Sequence, residues 1–143
     1  MIDIVNIRPD GLKLFELEFK KHPETFLKVH HPSCGHCKAM ENDWEDLENE
    51  LKNNYNGDVG VFNIHADALS NTTFISALQG IHGYPTIMAI KNDEPMQYEG
   101  SRNKDDMLKF CLENLDLKKT EKSYEGSKRK KSKKSKKSKK KIN

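Results

Sequence analysis

The chain has 143 residues, 33% of them charged and 34% hydrophobic, which is enough for one compact domain. Residues 1–117 hold 11 Lys and Arg against 20 Asp and Glu, a net charge of −9, whereas residues 118–143 hold 14 against 2, a net charge of +12. No apolar run approaches the roughly 20 residues that cross a bilayer, no secretory or lumenal retention signal is apparent, and three cysteines are too few for a disulfide scaffold. We therefore expect an intracellular protein without a membrane span, located in the cytosol or nucleus or packaged in a viral particle.

The first part of the chain alternates between strand and helix patterns. The apolar alternation over Ile2–Ile7 predicts a strand at the edge of a sheet. Apolar residues at helical spacing predict a helix from Leu12 to Lys21, with Asp10 as its N-cap. Pro23 ends that helix, because proline disfavours helical geometry in the residue before it. Residues 25–31 follow as a second predicted strand.

The clearest element is an amphipathic helix with an acidic outer side. Its apolar stripe recurs at intervals of three and four residues and consists of Cys37, Met40, Trp44, Leu47 and Leu51. Residues 58–65 form the next predicted strand. Residues 71–78 are predicted to form a short helix, which Gly80 closes.

The last part of the body predicts a hairpin and a final helix. Residues 86–90 form a β-branched strand, and a turn at Asn92-Asp93 leads to an antiparallel partner at residues 96–98. Ser101 is the expected N-cap of the last helix, whose buried face is predicted to comprise Met107, Leu108, Cys111, Leu112 and Leu115. The order of elements predicts an α/β fold with a mixed central sheet and helices on both faces.

The composition changes abruptly after Leu117, so we divide the chain into a domain at residues 1–117 and a tail at residues 118–143. The Lys/Ser-rich tail has too few apolar residues to offset its ordering entropy, which predicts disorder. Its positive charge would bind nucleic acid or another polyanion without sequence preference. A solvated extension, or a tail folded back on the acidic body, is the alternative.

A pair of cysteines marks the chemistry of the domain. The segment Cys34-Gly35-His36-Cys37 falls between a predicted strand and the start of the amphipathic helix. The partial positive charge of a helix N-terminus stabilises a thiolate, which makes Cys34 the expected nucleophile and Cys37 the resolving thiol. His36 can carry a proton near neutral pH and favour the thiolate. These features favour an oxidising rather than a strongly reducing potential.

Metal binding is the alternative use of these cysteines. A soft-metal site would combine Cys34 and Cys37 with His30, His31 and His36. Structural zinc sites need four ligands, commonly from two pairs, and no second C-x-x-C is present. The redox interpretation is therefore favoured.

Three motifs resemble the catalytic domains of protein disulfide isomerase, within the thioredoxin superfamily. Cys34-Gly35-His36-Cys37-Lys38 resembles the family's active site, and Gly83-Tyr84-Pro85-Thr86 resembles the loop in which a cis proline faces the cysteines. Tyr98-Glu99-Gly100-Ser101-Arg102 resembles the stretch before the last helix. The resemblance covers roughly residues 10 to 117, with the motifs in the family's order and spacing.

The resemblance implies a thioredoxin fold and a thiol–disulfide oxidoreductase that needs no cofactor. Its implied partners are cysteine-containing protein substrates and a second redox protein that recycles the site. Pro85 would dock the substrate backbone, and Arg102 would assist Cys37 by lowering its pKa. An interaction protein, anchored to a polyanion by the basic tail, is the rival from another functional class.

One departure from the family affects the expected mechanism. Where the family carries a buried acid, six residues before the first cysteine, this chain has Lys28. A buried lysine tends to lose its charge, so Lys28 could serve as a neutral base. Alternatively, Lys28 extends its amine to solvent, and the proton of Cys37 leaves through His30, His31 or water.

Overall fold

The computed structural model of the chain describes residues 1–69, 75–79, 81 and 83–120. Within these residues seven strands are found, namely β1 (Ile2–Ile7), β2 (Glu24–His30), β3 (Tyr55–Asn56), β4 (Val59–His65), β5 (Thr86–Lys91), β6 (Glu94–Gln97) and β7 (Lys118–Lys119). The helices of the same residues are α1 (Leu12–Phe19), α2 (Gly35–Ala39), α3 (Glu41–Asn54) and α4 (Lys104–Asn114). Single 3₁₀ turns occur at Ala66–Leu69 and Ser76–Leu78.

Five strands form one mixed sheet in the order β1-β4-β2-β5-β6. Strand β4 runs parallel to both β1 and β2, while β5 runs antiparallel to β2 and β6. The predicted edge position of β1 and the mixed sheet are thereby confirmed. The hairpin turn is also confirmed, because Asn92 and Asp93 both adopt positive φ, as a two-residue turn between β5 and β6 requires. Strand β2 is central in the sheet, and the cysteine pair follows shortly after its C-terminal end.

Helices cover both faces of the sheet, as predicted. One face packs against α2, α3 and α4, and its core contains Phe26 and Trp44, whose rings stack with centroids 5.2 Å apart. The other face packs against α1 and the 3₁₀ turns, around Phe15 and Phe62. Directly paired residues of neighbouring strands share a face. Lys28 therefore lies on the same side of the sheet as Asn63, its partner on β4. Because side chains alternate along a strand, Lys28 also shares this side with Phe26, two residues earlier.

The amphipathic helix is divided, which corrects the prediction of one continuous element. Met40 has φ −99° and ψ 3°, outside helical geometry, and separates α2 from α3. Glu41 and Asp43 lie in the first turn of α3, where carboxylates stabilise a helix N-terminus. The one-turn helix α2 thus carries Cys37 separately from the longer α3.

Both predicted helix caps are wrong. Asp10 lies within a turn closed by a hydrogen bond from the Gly11 N–H to the Arg8 carbonyl, so Gly11 occupies the cap position. Asn103, two residues after Ser101, caps α4 by accepting a hydrogen bond from the Asp106 N–H at 2.8 Å.

Two further predictions need revision or fall outside the described residues. Leu112 is 38% exposed, because the inward face of α4 is formed by Met107, Cys111 and the following Leu115. Of the helix predicted at residues 71–78, Ser76–Leu78 form a 3₁₀ turn, while residues 71–74 and Gly80 lie outside the described part of the chain.

The C-terminal end of the domain pairs with the loop after α3. Strand β7 runs antiparallel to β3, and the Thr120 N–H donates to the Asn54 carbonyl at 2.7 Å. This pairing involves three residues beyond the predicted boundary at Leu117, namely Lys118, Lys119 and Thr120. Residues 121–143 lie outside the described residues, so the disorder of the tail stays a prediction. No helix among the described residues is long and apolar enough to cross a membrane.

A histidine joins three segments at the end of the sheet where β1 and β4 begin. The His22 ring, with 5% of its side chain exposed, lies between Asp3, 2.8 Å from Nε2, and Asp58, 2.6 Å from Nδ1. Gly60 leaves space for the rings of Phe62 and His22, since a Cβ there would lie 2.7 Å from Phe62 Cε2 and 3.1 Å from His22 Cδ2. The cluster links β1, the segment before β2 and the segment before β4.

Candidate active site

Strand β2 and helix α2 place the two cysteines at different depths. Cys34 is the N-cap of α2 and is partly exposed, while Cys37 lies one turn later and is 4% exposed. Both are free thiols, and Cys34 Sγ accepts the Cys37 N–H at 3.0 Å. Cys34 is thus the accessible nucleophile and Cys37 the shielded partner.

Cys37 needs help to lose its proton. Burial and the hydrogen bond with Cys34 raise the pKa of Cys37 to about 11. A hydrogen bond with the His31 backbone and the charge of Lys28 act in the opposite direction. At neutral pH Cys37 is therefore a thiol, and the groups that favour its thiolate control how readily it attacks.

Lys28 lies inside the protein, beneath the site. It is 2% exposed, and its Nζ lies 5.0 Å from the centroid of the Trp44 ring, in a cation–π arrangement. The alternative in which Lys28 extends to solvent does not fit this burial. Burial lowers the pKa of Lys28, whereas the negative charges of Cys37 and Glu48 oppose that shift.

Polar side chains continue along the same face of the sheet. His30 Nδ1 and Asn63 Oδ1 are buried and have no hydrogen-bond partner among the described residues. The His30 ring packs edge-on against His65, with centroids 5.4 Å apart. Burial, followed by the charge of Lys28, lowers the pKa of His30. The lowered pKa favours the neutral form of the His30 ring.

An open cavity of about 340 Å³ lies in front of Cys34. Its lining residues are His31, Ser33, Cys34, Gly35, His36 and Tyr84. The Nδ1 atom of His31 accepts the Ser33 N–H at 3.2 Å, and the ring packs beside Tyr84 with centroids 5.5 Å apart. His36 and Gly35 are exposed, and a Cβ at Gly35 would touch nothing within 4 Å. The approach to Cys34 is consequently open.

The second predicted motif borders this cavity. The Tyr84–Pro85 peptide bond is cis, as predicted. Tyr84, Pro85 and Arg102 line an adjoining cavity of about 370 Å³. Arg102 is exposed there and is not among the charged groups found to act on Cys37. The expected effect of Arg102 on Cys37, and the expected docking role of Pro85, stay predictions.

The metal alternative has no support in the described part of the chain. Over residues 1–69, 75–79, 81 and 83–120, no three His, Cys, Asp or Glu side chains converge to hold a metal ion. His31 is instead hydrogen-bonded to Ser33, and His30 is directed into the sheet beside His65.

Sequence reasoning did not identify Glu48 as part of the site. Its Oε2 accepts a hydrogen bond from Trp44 Nε1 at 2.9 Å, and burial raises the pKa of this carboxyl group. The signal available in the sequence was spacing, since Glu48 follows Trp44 by four residues and therefore shares its side of α3. In the sequence, Glu48 could not be distinguished from the exposed carboxylates of the same acidic helix.

The thiol pair lies at the start of a helix, directly after the central strand of a mixed sheet that has helices on both faces. This arrangement defines a redox domain of the thioredoxin class. The thioredoxin family model matches residues 11–113. The chain belongs to the thioredoxin family, and the fold expected from the sequence is confirmed.

Similar proteins include several protein disulfide isomerases. The chain is 38% identical over 80 residues to human protein disulfide-isomerase TMX3, covering 56% of this chain and 17% of that protein. It is 35% identical over 83 residues to human protein disulfide-isomerase A6, covering 57% of this chain and 18% of that protein. The chain therefore spans less than a fifth of the length of these curated relatives.

Solved structures show the same fold. The first thioredoxin domain of mouse protein disulfide-isomerase A4 superposes with a TM-score of 0.56 at 23% identity, covering 87% of this chain and 83% of that one. The Trx4 domain of ERdj5 superposes with a TM-score of 0.58 at 18% identity, covering 81% of this chain and 98% of that one.

Proposed function

We propose that this chain is a thiol–disulfide oxidoreductase that exchanges disulfides with cysteine-containing proteins through Cys34 and Cys37. The observation that carries the proposal is the geometry of the pair. Cys34 lies partly exposed at a helix N-terminus with its sulfur accepting the Cys37 N–H, and Cys37 lies buried one turn later. Membership of the thioredoxin family supports the same chemistry.

The reaction divides into two exchanges. In the first, the Cys34 thiolate attacks one sulfur of a substrate disulfide, the substrate S–S bond breaks, and the departing sulfur leaves as a thiolate that takes up a proton. In the second, Cys37 loses its proton and attacks Cys34 Sγ. The Cys34–Cys37 bond forms, the mixed disulfide breaks, and the substrate has gained two electrons. The reverse sequence oxidises a substrate dithiol.

The open cavity in front of Cys34 suits an extended protein segment. It adjoins the cavity lined by Pro85 and Arg102, and Tyr84 borders both. A substrate cysteine presented on such a segment would reach Cys34 while its flanking residues contact Tyr84. A second protein dithiol or disulfide, acting on the same exposed sulfur, would return the pair to its starting state.

Trapping of the mixed disulfide tests this proposal. The Cys37→Ser variant should accumulate a covalent adduct between Cys34 and a disulfide-containing peptide, because the second exchange is blocked. The Cys34→Ser variant is the matched control and should form no adduct, since Cys37 is buried. Intact-mass measurement identifies both. Adduct formation at Cys37 or Cys111 instead of Cys34 would contradict the assigned roles.

A second candidate function concerns the basic tail. We infer that residues 118–143, with a net charge of +12, bind polyanions such as nucleic acid independently of the redox site. Deletion of residues 121–143 keeps β7 and should abolish salt-sensitive binding to duplex DNA while disulfide exchange continues unchanged. Equal DNA affinity of the truncated and full chains would refute this function. The expected intracellular location stays a prediction.

A further inference from the structure

Lys28, Trp44 and Glu48 form a layer between the central strand and α3. The Lys28 ammonium lies over the Trp44 ring, 5.0 Å from its centroid, and the edge of the same indole donates to Glu48 Oε2 at 2.9 Å. Lys28 is 2% exposed, so water cannot screen its charge effectively. A cation, an aromatic ring and a carboxylate therefore follow one another in this layer, and the cation is close enough to Cys37 to act on its charge.

Several charged and titratable groups surround Lys28, and they come from every element packed against it. The groups that act on Lys28 from the helical side are Cys34, Cys37, Glu41 and Glu48. His30 on its own strand interacts with Lys28 as well, and the His30 ring packs against His65 on β4. Of the two carboxylates, Glu41 is exposed, whereas Glu48 is half-buried and acts more strongly on Lys28. Glu48 is therefore the stronger of the two carboxylate counter-charges.

We propose that Glu48 is the counter-ion that keeps Lys28 charged beneath Cys37, and that Glu48 thereby governs the second exchange through Lys28. The inference rests on the proposed thiol–disulfide exchange and adds a positioning residue to it. Glu48 does not itself touch the sulfur atoms, and it is not among the groups found to act on Cys37.

Glu48 acts on Cys37 in two steps, both through Lys28. A buried ammonium without a counter-charge loses its proton readily, because desolvation favours the neutral amine. While Lys28 stays charged, it favours the thiolate of Cys37. In the second exchange Cys37 gives its proton to water, its sulfur bonds to Cys34 Sγ, and the substrate sulfur leaves as a thiolate that takes up a proton. Lys28 keeps its own proton throughout.

The test follows the second exchange directly in the full chain. Reduced protein is mixed with 5,5′-dithiobis(2-nitrobenzoate), and the two coloured thiolates released report attack by Cys34 and then attack by Cys37. In Glu48→Gln we expect the first release to be unchanged and the second to slow by about threefold at pH 7. That figure assumes a tenfold loss of Cys37 thiolate, offset by the greater nucleophilicity of a more basic thiolate. The pH profile of the second release should move to higher pH.

Two further variants separate charge from structure. Asp46→Asn removes an exposed carboxylate from the same helix that does not act on Lys28, Cys37 or Glu48, and it should leave both releases unchanged. Glu48→Asp keeps the charge and should retain the profile of the unmodified chain.

A double-mutant comparison tests whether Glu48 acts through Lys28. Lys28→Met should slow the second release by itself, and adding Glu48→Gln to it should have no further effect. The proposal is overturned if Glu48→Gln leaves the second release unchanged, or slows it equally with and without Lys28. Failure of the unmodified chain to give any second release would instead refute the proposed function.

Discussion

Removing both buried charges together should stabilise the domain while impairing its chemistry. In the double variant Lys28→Met/Glu48→Gln, methionine fills the space of the lysine stem, and the glutamine oxygen still accepts the Trp44 N–H. Replacing desolvated charged groups by uncharged residues of similar volume raises the free energy of unfolding by between zero and about 4 kcal/mol. Loss of the cation–π contact returns about 1 kcal/mol. The difference ranges from about −1 to about +3 kcal/mol, and we expect a net gain in the free energy of unfolding near its middle, about 1 kcal/mol at pH 7.

The pH dependence of this gain follows from the two pKa shifts. Burial lowers the pKa of Lys28 below 10.5, so its charge costs stability below that lowered pKa, and the cost fades as the pH rises to 10.5. Burial raises the pKa of Glu48 above 4.5, so its charge costs stability above that raised pKa and the cost fades as the pH falls through it. The advantage of the double variant should be greatest near neutral pH and shrink in both directions.

Urea denaturation of the reduced full chain measures this prediction. The midpoint should rise while the slope with denaturant stays constant, because the exposed area on unfolding is unchanged. Lys28→Met alone should gain less, since it leaves Glu48 without its cation. A double variant that is less stable than the unmodified chain at pH 7, or a gain that does not vary with pH, would refute the reasoning.

Iodoacetamide at pH 7 should modify Cys34 well before Cys37, because burial and the hydrogen bond with Cys34 raise the pKa of Cys37 to about 11. The fully buried Cys111 should stay unmodified until urea unfolds the domain. Peptide mass mapping checks both expectations, and early modification of Cys111 would contradict the packing of α4. His22→Leu should lower the free energy of unfolding by about 1–3 kcal/mol, because two carboxylates lose their shared partner, as urea denaturation would show. Asn103→Ala should cost about 1 kcal/mol through loss of the α4 cap, measured in the same way, whereas an unchanged midpoint would show that another group caps the helix.

Periodicity predicted the layers of this fold well, because burial of one face determines each element. The edge position of β1, the turn at Asn92-Asp93 and the burial of Trp44 follow from local patterns that tertiary packing did not override. The cap of α4 could not be predicted in the same way. Ser101 and Asn103 are both good caps, and only the path of the preceding loop selects between them.

The cysteine pair could be identified from its spacing and flanking elements, whereas the chemistry beneath it could not. The unusual lysine was visible in the sequence, but its link to Glu48 was not, because Trp44 lies between the two side chains only when α3 packs on β2. The division of the helix at Met40 escaped prediction for a similar reason. No proline or glycine marks it, and the apolar stripe continues through it.

The most direct test of the central claim is the equilibrium of the Cys34–Cys37 pair with glutathione redox buffers. The full chain is equilibrated over a range of poises, its free thiols are labelled and counted by mass, and Cys37→Ser is the control that cannot form the internal disulfide. We expect a reversible two-electron transition with a potential of about −180 mV, the value typical of disulfide isomerases. Absence of a Cys34–Cys37 disulfide at every poise would contradict the account.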